Sequence, residues 1–211
     1  MSENVVGLAT ASNLSPVETP TAVSKFADPG PLAVGAFSAT SFMLGVYNAG
    51  LLHSGGVAVV FPAAFFFGGM IQLLVSVLEF IRGNTFGTMV FGTYGAFWVI
   101  FGGIEIWFAK MMTPSDIGSA VSLFLAMFAI LTFFFFIASL KTDRVLISIF
   151  FLLLVTFILL SIGAGSGLSG FTTFGGWTTI LFSILGFYHA GADLINSTYG
   201  RAVLSNGPVK K

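Results

Sequence analysis

The run ISIFFLLLVTFILLSI at residues 147–162 carries no charge and shows no alternation of polar with apolar positions. Inside lipid, only the α-helix and the closed β-barrel satisfy every backbone N–H and C=O. A barrel strand needs a segment of about ten residues that alternates. This run is continuously apolar, so it reads as part of a membrane-crossing helix. Similar runs lie on both sides of it. On the ruler of about 20 apolar residues per crossing, spans are expected near residues 32–52, 56–78, 86–109, 117–140, 145–164 and 174–195.

The composition agrees with a helical bundle in a bilayer. Hydrophobic residues make up 56% of the 211-residue chain and charged residues only 8%, with a mean hydropathy of +1.00. A soluble domain carries about 25% charged residues. With no cysteine, disulfides and thiolate metal sites are excluded. A net charge of zero leaves no basic footprint for nucleic acid. The reading is therefore all-α and integral to the membrane. It has a disordered cytoplasmic tail at residues 1–24, a six-helix transmembrane domain at 25–200 and a cytoplasmic tail at 201–211.

The few charges also set the orientation. Lys25, Arg82, Lys141, Arg144, Arg201, Lys210 and Lys211 fall on one side of the six spans, and Lys110 alone on the other. Such a bias places both termini in the cytoplasm, because Lys and Arg are retained on that side during insertion. Small residues recur four apart, as Gly35 with Ala39, Gly45 with Ala49, Gly92 with Ala96, Gly163 with Gly167 and Gly186 with Ala190. These pairs let helices approach closely and point to a compact bundle.

No Lys or Arg lies in the middle of a span, so the membrane core offers no permanent cation to hold an anion. Neutral donors or helix N-termini must serve, or the anion must travel with a proton. Asn48, Gln72, Tyr94 and His189, with Ser38 and Thr40, are the polar candidates. Each also has a plain reading as an interhelical hydrogen bond. Glu79 stands three residues before Arg82, a helix-end ion pair that also makes Glu79 a candidate proton carrier. His189 is the other proton-coupling candidate, since imidazole titrates near neutral pH. Glu105, near Trp107 and Lys110, and Asp193 read as interfacial or structural acids. Asp28-Pro29-Gly30-Pro31-Leu32 combines a capping residue with prolines tolerated at a helix start. It reads either as a plain start or as a rigid terminus whose N–H groups face an anion. Neither a hydrolase motif nor a phosphate loop nor a metal-ligand spacing occurs, so no cofactor or metal is expected.

Several blocks together resemble the acetate uptake transporter family, which includes the bacterial succinate–acetate permease and fungal acetate permeases. Asp28-Pro29-Gly30-Pro31-Leu32-Ala33-Val34 is similar to its NPAPLGL signature, and Tyr47-Asn48-Ala49-Gly50 to the end of its first helix. Phe67-Gly68-Gly69-Met70-Ile71-Gln72, Leu78-Glu79-Phe80 and Gly83-Asn84-Thr85-Phe86-Gly87 match its most distinctive region. Thr93-Tyr94-Gly95-Ala96-Phe97-Trp98, Leu140-Lys141, Arg144-Val145-Leu146 and Tyr199-Gly200-Arg201 follow. The resemblance covers residues 26–206.

It implies a six-helix protomer with its own pore, assembled as a homohexamer in the plasma membrane. Acetate and related short carboxylates, succinate among them, would pass with protons. Motif alignment puts a hydrophobic constriction at Phe37, Tyr94 and Leu153. Pro29, Pro31, Leu32, Asn48, Gln72 and Gly186 become candidates for the substrate pathway, Gly186 at a position tied to substrate size. Asp28 and Gly30 depart from the signature Asn and Ala. The Asp28 charge is expected to disfavour an incoming anion. Two further readings are a channel for ammonium or another small neutral solute, and a membrane sensor or scaffold that transports nothing.

Overall fold

The structure, a computed structural model, describes residues 26–209. The expected N-terminal tail at 1–24, and Lys25, Lys210 and Lys211, lie outside the described residues. Six helices among the described residues are long and apolar enough to cross a membrane. They are α1 (Gly30–Asn48), α2 (Ser54–Ile81), α3 (Thr85–Ile106), α4 (Ile117–Ser139), α5 (Arg144–Ser166) and α6 (Ser169–Tyr199). With an even number of crossings, the start of α1 and the end of α6 share one face of the bundle. We refer to it as the terminal face. It also holds Arg82, Lys141, Arg144 and Arg201, while Lys110 sits on the opposite face.

Local chemistry sets the helix ends. The Asp28 carboxylate accepts from the Gly30 N–H at 2.9 Å, one of the orphan donors at the start of α1. Asn84 Oδ1 caps α3 by accepting from the Gly87 N–H at 3.1 Å, and Asp143 Oδ1 caps α5 through the Leu146 N–H at 2.9 Å. α5 and α6 end at Gly167 and Gly200, both with positive φ, where a side chain would strain the backbone. α6 runs about two turns beyond the expected 174–195. Its first turn, Ser169–Phe171, is too polar for a hydropathy ruler yet still helical.

α2 is irregular. It opens as a 3₁₀ turn at Ser54–Val59 and widens to π-helical geometry over Ala63–Ile71 before regular α-helix at Gln72–Ile81. π segments concentrate at functional sites. Here the Gln72 Nε2 donates to the Gly68 carbonyl, one turn back, and helps hold the widened stretch.

α1 packs along α6, α5 lies between α4 and α6, and α2 packs on α3. Small residues stand at these crossings. A methyl group on Gly186 would overlap Ser38 Oγ of α1, and one on Gly176 would overlap the backbone at Ala49. Gly35 faces Ala190, Gly92 lies under Ser76, and Gly163 under Thr172. Gly167, expected as a packing residue, is instead the C-cap of α5. The centre of the bundle is aromatic. Phe97 meets Phe128 at 4.9 Å and Phe157 at 5.2 Å between ring centroids, both edge to face.

The segment after α6 lies back on the bundle. The Arg144 N–H donates to the Gly207 carbonyl at 2.9 Å, and Asp143 pairs with Pro208 in a single antiparallel bridge. Asn196 Oδ1 accepts from the Val203 and Leu204 N–H groups, and Tyr188 donates to the Ser205 carbonyl. Residues 201–209 are thereby packed across the start of α5.

Candidate functional site

A cavity of about 160 Å³ extends inward from the terminal face between α1, α2, α3, α5 and α6. Nine of the candidate residues read from the sequence line it: Pro31, Phe37, Ser38, Gln72, Glu79, Tyr94, Leu153, Gly186 and His189. At Gly186 the space a side chain would take is filled by Ser38 Oγ, so the glycine lets α1 and α6 close up beside the cavity.

The inner end of the cavity is apolar. Phe37 and Tyr94 approach to 5.2 Å between ring centroids, and Phe182 stacks on Phe37 at 5.6 Å. The buried Tyr94 hydroxyl pairs with Thr132 Oγ1 of α4 at 2.9 Å, so its polar end is satisfied and its ring edge is fixed. Beyond Phe37 and Leu153 lies a void of about 30 Å³, which those two residues also line. Space of that size holds about two waters. On the opposite face, a third cavity of about 270 Å³ is bounded by Asn48, Phe97, Phe101, Glu105 and Leu160, among others. Phe97 and Leu160 border both of these spaces. The three voids run in series through the bundle, with Phe37 and Leu153 dividing the first from the second.

Three pathway candidates fall elsewhere. Asn48 ends α1 on the opposite face and lines the cavity there, apart from Gln72, which lines the cavity at the terminal face. Pro29 is the N-cap of α1 and does not line the cavity. Leu32 is 49% exposed and lies in an open groove between α1 and α6, which Pro31 also borders; one further residue of helix turns Leu32 out of the cavity that Pro31 still reaches. Glu105 borders the opposite cavity, in addition to its expected place near Trp107 at the bundle end.

Two polar clusters flank the mouth on the terminal face. In one, Glu79 is only 1% exposed, and its Oε1 lies 3.0 Å from Arg82 Nη1. Its Oε2 accepts from Asn84 Nδ2 at 2.7 Å. The same Arg82 Nη1 holds Asp28 Oδ1 at 2.7 Å. Burial opposes the Arg82 cation, but the Asp28 and Glu79 carboxylates outweigh that cost and raise its pKa above the ordinary value. Asp28, expected to disfavour an incoming anion, is paired with Arg82 and tied to the first turn of α1. That single cation also serves Glu79, so one positive charge faces two carboxylates here.

In the second cluster, His189 of α6 lies between two carboxylates. Nε2 is 3.1 Å from Asp143 Oδ2 and hydrogen-bonded to it, while Nδ1 is 3.2 Å from Asp193 Oδ2. Asp193 also accepts from Asn206 Nδ2 at 2.7 Å. Asp193 thus faces the cavity with His189, a closer involvement than an interfacial acid. Sequence reasoning missed Asp143 and Asn206. Asp143 did carry a signal, a capping residue directly before the apolar periodicity of α5. Asn206 carried none.

Residues 10–210 match the family described as GPR1/FUN34/yaaH. "Ammonia transport outward protein 2" of Saccharomyces cerevisiae is 36% identical over 194 residues, covering 88% of this chain and 68% of that protein. "Succinate-acetate/proton symporter SatP" of Escherichia coli is 32% identical over 184 residues, covering 87% of this chain and 97% of its own length. The solved structure of the bacterial acetate channel SatP superposes with a TM-score of 0.80 at 32% identity, covering 86% of this chain and 99% of the other.

Proposed function

The chain belongs to the GPR1/FUN34/yaaH family, and from that premise we propose that it carries acetate and related short carboxylates, succinate among them, together with protons. The chain is a multi-pass membrane protein of transporter relatives. Its place is the plasma membrane, with both termini in the cytoplasm and the terminal face inward, as the bias of Lys and Arg requires. The working unit is a homohexamer in which each protomer has its own pore.

One observation carries the reading: the cavity from the terminal face ends on Phe37, Tyr94 and Leu153. That apolar ring is the constriction. It hinders hydrated inorganic ions by dewetting, and lets through a small acid that sheds little hydration. Gln72, Pro31 and Gly186 shape the wider path on the terminal side. Pro29 and Leu32 support the start of α1 from outside the cavity, and Asn48 belongs to the opposite vestibule.

Labelled-acetate uptake into liposomes holding the purified protein tests this. Uptake is expected to follow an imposed inward proton gradient, and Phe37→Ala is expected to admit lactate. Equal uptake after the gradient is collapsed at fixed pH sinks proton coupling, and unchanged selectivity in Phe37→Ala sinks this constriction. A second reading, passage of ammonia, draws on the name of the yeast relative. Acetate flux insensitive to ammonium separates the two, and absence of any flux leaves a sensor or scaffold.

A further inference from the structure

The two clusters at the terminal-face mouth differ in what they leave open. Both Glu79 oxygens already accept from N–H donors, Arg82 at Oε1 and Asn84 at Oε2. His189 is 6% exposed, lines the cavity and has one ring nitrogen without a hydrogen bond. That nitrogen is Nδ1, 3.2 Å from Asp193 Oδ2 but out of hydrogen-bond alignment.

Each carboxylate uses one oxygen for structure and turns the other to the ring. Asp143 Oδ1 caps α5 and its Oδ2 meets Nε2. Asp193 Oδ1 holds Asn206 and its Oδ2 faces Nδ1. An ionised carboxylate can only accept, and a neutral imidazole has one donor and one acceptor nitrogen. With Nε2–H given to Asp143, a neutral ring would set a bare lone pair against the Asp193 carboxylate. A proton between Nδ1 and Asp193 resolves that opposition. Asp28, ahead of α1, adds a third negative charge within electrostatic range. Across the cavity, Arg82 is engaged with Asp28 and Glu79. From the described residues after α6 the cluster meets Asn206, which donates to Asp193, and Pro208, bridged to Asp143, both uncharged.

We propose that the Asp143–His189–Asp193 cluster takes the co-transported proton from the substrate acid and delivers it to the terminal-face side, with Glu79 serving structure alone. The inference rests on the carboxylate–proton transport proposed above. As a neutral acid leaves the apolar constriction, its O–H bond breaks and Asp193 Oδ2, which the cavity reaches, takes the proton and shares it with the buried Nδ1 behind it. The carboxylate departs into the cavity. The proton then leaves through Asp193 Oδ2, where its bond breaks as cavity water takes it on to bulk solvent.

The test uses full-length protein in liposomes with labelled acetate. His189→Gln and His189→Ala are each expected to lower net uptake on the order of 100-fold, the usual scale for losing a positioned proton acceptor. Added imidazole should restore His189→Ala, where it can occupy the vacated space, and not His189→Gln, whose side chain fills it. Undiminished uptake in both variants overturns the assignment, as does a loss that imidazole leaves unrepaired.

A measurement that does not depend on those variants folding uses ring nitrogen NMR. The chain has two histidines, so His53→Gln on the opposite face leaves one signal. That ring is expected to change protonation during a pH titration and to respond to acetate. A ring whose protonation never changes overturns the proposal. A titrating ring in a wild-type protein that takes up no acetate overturns the transport reading and leaves a proton site without cargo.

Discussion

Two acidic clusters face each other across one cavity mouth, and their similarity ends at composition. Around Glu79, each carboxylate oxygen meets a donor, and Arg82 bridges to Asp28 at the start of α1. Around His189, two carboxylates confront one ring and a buried nitrogen has no aligned partner. A buried carboxylate paired at both oxygens holds elements together. A ring left short of a single proton is a place where protonation changes the balance. Burial is similar in both, so burial alone does not separate scaffold from working part. The kind of atom left over does: on the Glu79 side it is Arg82 Nε, a permanent donor that cannot take up a proton, and on the other it is His189 Nδ1, which can.

The contrast is open to breakage, most strongly at Arg82. Arg82→Gln removes the cation from a buried carboxylate and from Asp28. The expected loss is about 3 kcal/mol, the scale for breaking one partner out of a buried pair, read as a lower thermal midpoint in detergent. Replacing both members by apolar residues, as in Glu79→Met with Arg82→Met, should regain most of it. A negligible loss in Arg82→Gln would remove the structural role given to this cluster. Asn84→Ala comes next. It deletes the cap of α3 and a donor to Glu79 together, for about 1.5 kcal/mol, measured the same way. A cost no larger than that of an ordinary cap would mean that Glu79 does not need Asn84.

Much of this arrangement could be read from the chain, and the limits have physical causes. The crossings were legible because lipid excludes charge over about 20 residues at a time, and Arg144, Arg82 and Lys141 stand at the ends of runs. Glu79 with Arg82 was legible because residues three apart share a helix face. The pairing of Asp28 with Arg82 spans 54 positions and that of Asp143 with His189 spans 46, and no local rule reaches that far. The widened turns at Ala63–Ile71 left no periodic signature either, since the stretch is apolar all round. Pro31 and Leu32 show how fine the limit is. Both belong to one motif, yet one step of 100° along α1 leaves Pro31 bordering both the cavity and the open groove and Leu32 bordering the groove alone.

The smallest expected effect probes the His189 side. Asp143 has two jobs, capping α5 through Oδ1 and facing the ring through Oδ2. Asparagine caps a helix about as well as aspartate, and alanine does not. If the cap is what supports the fold, Asp143→Ala should cost about 1 kcal/mol and Asp143→Asn less than about 0.5 kcal/mol in thermal unfolding. Equal and larger losses in both would show that the carboxylate charge beside His189 holds α5 against α6. The cluster would then be scaffold, as the one around Glu79 is. A near-silent Asp143→Asn leaves the charge free for another use, because the helix start no longer depends on it. Proton handling can be assigned only to a carboxylate whose ionisation the fold does not require.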